Sequence, residues 1–373
     1  MGDDVRWTKR IRALAGGATR VEALADVGSD VHEVADACER LRAGDAGLTP
    51  PLAALIDDET ITDILINPSG DVFIERHQQL VRHDYRVDDT RALAVRLATA
   101  AGVRLDDASP IVDATVMGRV RVHAILAPVA TGASPAGGAA ISLRIARAKH
   151  FTLSDLNRLG TISPQAARIV TYLVTTRRNV VVTGATGSGK TTVLAAALGC
   201  AAESERLVVI EETRELQLAH PHAVYLQSRQ PNQQGAGAIT MAALVRAALR
   251  MRPDRLVLGE ARGAEIREIL AAMNTGHRGC WLTVHANSAT DVPARLVALG
   301  ALAGLSAHTV HVQAAAALDS IIHVQRTPTG RVVRAIATVG CRENQLYITP
   351  IFQVRDGREY CDTTELRRLE VEI

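Results

Sequence analysis

The chain has 373 residues, 47% of them hydrophobic and 22% charged, an ordinary globular balance that excludes wholesale disorder and fibrous repeats and suits two domains at roughly 150 residues each. A formal charge of +2 lacks the basic footprint of a protein that lives on nucleic acid, and five scattered cysteines with no C-x-x-C pair indicate neither a disulfide framework nor a zinc site. The N-terminus reads MGDDVRWTKR rather than a signal peptide and no apolar run reaches about 18 residues, so the expectation is a cytoplasmic protein whose membrane contact is peripheral.

Residues 5–45 show helical periodicity broken by glycine pairs, which predicts two or three short helices within an N-terminal extension over 1–50. ITDILIN and DVFIER alternate on either side of Pro68-Ser69-Gly70, a hairpin signal over 61–76. An Ala-rich helix follows over 90–101, with Thr90 as its cap and Gly102 as its end, and strand-like runs follow at 111–126 and 139–145. Together these predict a small α+β domain over 51–150, with the pattern-poor stretch 146–163 as its link to the next.

From 151 the character changes. NVVVT, RLVVI, RLVLG and WLTVH are continuously apolar and alternate with longer helical stretches, which predicts an α/β domain over 151–373 with a mostly parallel sheet covered on both faces. TMAALVRAALRM, residues 240–251, is the clearest helix, and residues 330–373 alternate weakly, as added edge strands would.

Aromatics are only 3% of the chain, so the core must be aliphatic, and just three of the 42 basic residues are lysines. One of those lysines falls in GATGSGKT, residues 184–191, which fits G-x-x-x-x-G-K-[ST] between an apolar run and a helix. Gly184, Gly187 and Gly189 let the backbone turn its N–H groups toward a phosphate at a helix N-terminus, and Ala185, Thr186, Ser188 and Thr192 complete the cradle. Lys190 is expected to reach the β- and γ-phosphates of ATP, and the Thr191 hydroxyl to hold Mg²⁺.

A cradle alone hydrolyses nothing, so a polar group at a neighbouring strand end must orient water. Glu260 directly follows RLVLG and is the candidate, while Asp254 precedes that strand and is a poor Mg²⁺ ligand. Glu211 and Glu212 end another apolar run, and adjacent residues on a strand point to opposite sides, so only one of them can face the nucleotide. His277 and His285 flank WLTV, with His285 at the carboxyl end where α/β sheets bind ligands. His220 and His222 have no acid or cysteine nearby in the sequence and read as a solvated loop.

Taken in order, ITDILIN, GATGSGKTT, VVIEETRELQL, ALRMRPDRLVLGEARGAE and MNTGHRGCWLTVHAN resemble the type II/type IV secretion-system ATPase superfamily over residues 60–325. Within it they resemble the CpaF/TadA-like subfamily of Flp (Tad) pili, described in actinobacteria as conjugal-transfer-associated. The resemblance implies a RecA-like ATPase domain behind a smaller N-terminal domain, a homo-hexameric ring, and an integral inner-membrane platform protein as partner. It gives Glu260 the role of a Walker B-like glutamate, Glu211 and Glu212 those of Asp-box acids, and His277 and His285 those of His-box histidines. Glu211 becomes the better catalytic candidate of the two acids and a Mg²⁺ ligand, directly or through water. Family arginines from the N-terminal domain match Arg121 and Arg144, with Arg119 an alternative because D-G-S-R is replaced by Gly118-Arg119-Val120-Arg121. The implied activity is Mg²⁺-dependent ATP hydrolysis that drives pilus assembly or secretion. The rivals are a conjugation-type DNA pump and a nucleotide-binding scaffold without useful turnover.

Overall fold

The structure is a computed structural model that describes residues 44, 46–76, 79–131, 137–145, 150–229, 231 and 236–368. The helices expected over 5–45 therefore fall outside the described residues, apart from Gly44. The chain divides into two compact units at Ala148 and Lys149.

In the first unit, helix α1 (Pro50–Asp57) precedes the antiparallel strands β1 (Ile61–Ile66), β2 (Asp71–Arg76) and β3 (Gln79–Arg86). Helix α2 (Thr90–Ala100) then leads to β4 (Ile111–Val116), β5 (Val120–Leu126) and β6 (Ala139–Ile145), and the sheet runs β3-β2-β1-β6-β5-β4. Strict alternation in β5 buries Val120, Val122, Ala124 and Leu126 on one face, and α2 packs Leu93, Ala94 and Leu97 into the same core. The cap of α2 is Asp89, whose carboxylate accepts from the Ala92 N–H, and not the expected Thr90. Thr90 is the first helical residue, and its hydroxyl instead accepts the Ala139 N–H at 2.9 Å.

The second unit opens with α3 (Leu153–Arg158) in the stretch expected to be a plain linker. Six residues are too few to display a period, yet Thr152 and Asp155 close a complete capping box around it. There follow α4 (Pro164–Thr175), β7 (Val180–Thr183), α5 (Lys190–Leu198), β8 (Leu207–Glu211), β9 (Ala223–Gln227), α6 (Met241–Ala248) and β10 (Arg255–Leu258). The remainder is α7 (Glu265–Asn274), β11 (Trp281–Val284), α8 (Val292–Leu302), α9 (Ala307–Ala317), β12 (Ser320–Thr327), β13 (Gly330–Arg342), β14 (Gln345–Arg355), β15 (Arg358–Cys361) and α10 (Thr363–Arg368).

The nine-stranded sheet is mixed, in the order β15-β14-β13-β12-β7-β11-β10-β8-β9. Strands β12, β7, β11, β10, β8 and β9 pair in parallel, whereas β13–β15, at the edge that residues 330–361 supply, pair antiparallel. Every residue of β7, β8, β10 and β11 is buried, because both faces are covered. Val180, Val182 and Trp281 join α3–α5 in one core layer, and Val181, Ile210, Leu258 and Leu282 join α6–α9 in the other. This burial fixes the strand order, and the strand order brings distant residues together at the carboxyl edge.

Candidate nucleotide site

The loop after β7 turns on three glycines with positive φ, namely Gly184 at 152°, Gly187 at 72° and Gly189 at 96°. Gly189 occupies the cap position of α5, so the first N–H groups of that helix stay unclaimed by a capping side chain and face the loop. Lys190, 6% exposed, folds back over the loop and donates to the carbonyls of Gly184 at 3.1 Å and Ala185 at 3.0 Å.

The third hydrogen of that ammonium points to His285 Nδ1 at 3.3 Å. An ammonium only donates, so Nδ1 is the acceptor and the imidazole carries its proton on Nε2. Nε2 in turn lies 2.5 Å from Glu260 Oε1. Burial and the neighbouring Lys190 both hold the His285 pKa below the ordinary histidine value, consistent with this neutral tautomer, and burial likewise lowers the pKa of Lys190. Lys190, His285 and Glu260 thus form one relay across three adjacent strand ends, in the order β7-β11-β10.

Glu260 Oε2 accepts from Arg262 Nε, and Arg262 also reaches the exposed Glu212 at 3.3 Å. Each carboxylate oxygen keeps a second lone pair, so Glu260 is held in place without being used up. Thr283 supports the same strand end by donating its hydroxyl to the Gly259 carbonyl at 2.6 Å.

The two neighbouring acids separate as alternation requires. Glu212 is exposed, while Glu211 is 6% exposed and packs against Gly259, where an added Cβ would lie 2.5 Å from Glu211 Cγ. Glu211 Oε1 accepts from the N–H groups of Glu215 at 3.2 Å and Leu216 at 3.0 Å, so it ties down the segment after β8. Burial lifts its pKa from 4.5 to about 7. The folded chain therefore keeps a proton that the unfolded chain releases near 4.5, and this contribution to stability is full below that pH and is lost as pH rises through 7. Glu211→Gln keeps the acceptor and removes the titration. It should flatten the loss of stability between pH 5 and 8 by up to about 3 kcal/mol in urea unfolding, and identical slopes in the two proteins would refute this.

Within the second unit, the other expected residues lie apart from this relay. His277 is at the opposite end of β11 from His285, its Nδ1 3.3 Å from the Ala272 carbonyl, because a four-residue strand separates the two histidines. Asp254 precedes β10 and accepts the Arg206 N–H at 2.8 Å. His222 Nε2 meets Arg206 at 2.9 Å in the loop before β9. In the first unit, Arg121 and Arg144 are cross-strand partners on β5 and β6, with Arg144 paired to Asp63 at 3.1 Å, and Arg119 is paired to Asp57 at 2.6 Å.

Among the described residues no group of three or more His, Cys, Asp or Glu is placed to hold a metal ion. The half-buried Thr191 on the first turn of α5 suits Mg²⁺, a cation that takes one or two protein oxygens and shares the remainder with phosphates and water. Glu211 suits it less well, with one oxygen occupied by two amides. The description "Type II/IV secretion system protein" belongs to the family model that matches residues 46–363. A putative conjugal transfer protein of Mycobacterium tuberculosis is 46% identical over 295 residues, covering 77% of this chain and 82% of its own. The probable conjugal transfer protein TrbB of Sinorhizobium fredii is 32% identical over 314 residues, covering 83% and 92%. The solved structure of the ATPase DotB of Legionella pneumophila shares the fold with a TM-score of 0.57 at 23% identity, covering 77% of this chain and 79% of that one. With its match to the family model running from the first unit to the last strands of the second, this chain belongs to the type II/IV secretion system protein family.

Proposed function

We propose that the chain is the ATP-hydrolysing motor of a secretion or pilus-assembly machine, working as a homo-hexamer peripheral to the cytoplasmic membrane against an integral membrane platform protein. The observation that carries this reading is the Lys190–His285–Glu260 relay at the mouth of a glycine loop. A carboxylate with no catalytic duty would not need a neutral imidazole between itself and the phosphate-binding lysine.

In this reading the loop amides and Lys190 hold the β- and γ-phosphates, while Glu260 orients a water and takes its proton as the oxygen adds to the γ-phosphorus and the bond to the β-phosphate oxygen breaks. His285 fixes the rotamer of Glu260 and keeps it next to the charge of Lys190. Mg²⁺ held by Thr191 would neutralise phosphate charge. The Flp/Tad-type role rests on the motif resemblance. A conjugative role is the second reading, favoured by the names of the mycobacterial and rhizobial relatives.

Phosphate release from ATP by the purified chain should require Mg²⁺ and stop with EDTA, and light scattering with a non-hydrolysable analogue should show a species near six subunits. Tight ATP binding with no turnover at micromolar protein would leave the scaffold reading, and a monomer under every condition would remove the ring. ATP turnover stimulated by DNA rather than by membranes carrying the platform protein would favour conjugation.

A further inference from the structure

The three glycines of the phosphate loop have a second neighbour besides a nucleotide. A Cβ on Gly184 would lie 2.1 Å from the Val324 carbonyl oxygen, one on Gly187 would lie 3.9 Å from Arg326 Nη1, and one on Gly189 would lie 2.9 Å from Arg331 Cδ. Val324, Arg326 and Arg331 all belong to the β12–β13 hairpin, in which Arg326 and Arg331 are directly cross-strand. The hairpin thus forms a wall against the loop, and the loop's lack of side chains is what lets it approach.

One contact in that wall is directional. Arg331 Nε donates to the Gly187 carbonyl at 3.0 Å. A trans peptide is planar, with its C=O and the following N–H pointing opposite ways, so fixing the Gly187 carbonyl toward the hairpin turns the Ser188 N–H to the other side of the loop. That side is the one Lys190 occupies, since the Ser188 N–H meets the Ala185 carbonyl at 3.3 Å and Lys190 Nζ donates to the same oxygen at 3.0 Å. A 3.3 Å amide contact is long and yields readily to a charged phosphate oxygen. The loop is gripped by a cation on each side: Lys190 within, Arg331 without.

We propose that Arg331 is a positioning residue of the nucleotide site, supplied by the same chain's β12–β13 hairpin, which aims the Ser188 amide at the bound phosphate and adds positive charge at the rim. The proposal rests on the reading of this loop as an ATP site. Its role differs from that of Lys190, which touches the phosphates, and from that of Glu260, which acts on water. Because Arg331 acts on the cradle and not on the reacting water, its loss weakens every nucleotide that fills the cradle, and ATP and ADP suffer alike.

The test is nucleotide affinity by calorimetry, together with steady-state hydrolysis, for the full-length wild type, Arg331→Met, Arg331→Lys and Lys190→Ala. Arg331→Met should raise the Kd for ATP and for ADP about tenfold, and KM in step, with the loss in affinity rather than in kcat; tenfold corresponds to about 1.4 kcal/mol. Arg331→Lys restores the charge but not the planar donor at Nε, so it should recover less than half of the lost affinity at low salt. Full recovery by lysine would show that only charge matters and would overturn the positioning role. An unchanged Kd in Arg331→Met, while Lys190→Ala abolishes binding, would overturn the Arg331 proposal alone. Failure of the wild type itself to bind ATP would overturn both the proposal and the reading beneath it. Should Arg331→Met not fold, Arg331→Lys carries the test: a several-fold rise in Kd at an unchanged melting temperature supports the proposal, and an unchanged Kd overturns it.

Discussion

Replacing Glu260 with Gln should lower kcat for ATP hydrolysis by about a thousandfold while leaving the Kd for ATP within about a factor of two. The amide keeps the volume of the carboxylate and one acceptor oxygen for the His285 Nε2–H, so the relay from Lys190 retains its shape. What it loses is basicity, together with the acceptor for Arg262 Nε on the outer side of the relay. A positioned general base contributes about 10²–10⁴ in rate, and no second carboxylate on the neighbouring strand ends can replace it, because Glu211 is tied to two amides and Glu212 is exposed beside Arg262. Single-turnover hydrolysis with bound radiolabelled ATP separates the chemical step from product release. A Glu260→Gln variant that turns over at more than about a tenth of the wild-type rate would remove Glu260 from the reaction. One that no longer binds ATP would make it part of the cradle instead.

The parts of this site that were legible in the sequence are those whose requirements are local. Glycines with positive φ, a lysine at the next helix start and an apolar run ahead of them lie within one loop, and Glu260 follows directly on another apolar run. The carboxyl-edge placement of His285 was legible for the same reason. The pairing of Lys190, His285 and Glu260 was not, because residues 190, 260 and 285 meet only when β11 inserts between β7 and β10, and strand order is a non-local result of covering both faces.

Glu211 shows the limit more sharply. Alternation said that one of the two acids turns inward, but its burial and its bonds depend on Gly259, far along the chain, offering no side chain. The structure gives Gly259 a positive use, as the space that Glu211 fills. The arginines follow the same pattern: the family resemblance points to the first unit for cations, and the weak alternation after residue 330 carries no sign that β13 brings Arg331 to the loop. The short α3 escaped detection because one and a half turns hold no period, although its capping box at Thr152 and Asp155 was there to be read.

Gly184→Ala should be the most destabilising single-methyl change in the loop, costing at least about 4 kcal/mol and abolishing nucleotide binding, whereas Gly187→Ala should cost about 1 kcal/mol. Both positions have positive φ, so backbone strain alone predicts losses of about 1–3 kcal/mol at each. The difference lies in what the new methyl meets. At Gly187 it finds only the end of Arg326, 3.9 Å away. At Gly184 it runs into the Val324 carbonyl oxygen at 2.1 Å and Ser188 Oγ at 2.6 Å, and Val324 belongs to β12, which pairs with β7 and cannot withdraw without opening the centre of the sheet. The clash is therefore relieved by moving the loop, which pulls the Gly184 carbonyl away from Lys190 and disturbs the relay to Glu260. Urea unfolding of the two variants at one pH checks the ranking, and ATP affinity checks the consequence. Equal losses at the two sites would mean that β12 yields easily, and the hairpin would then cease to be a fixed wall of the nucleotide site.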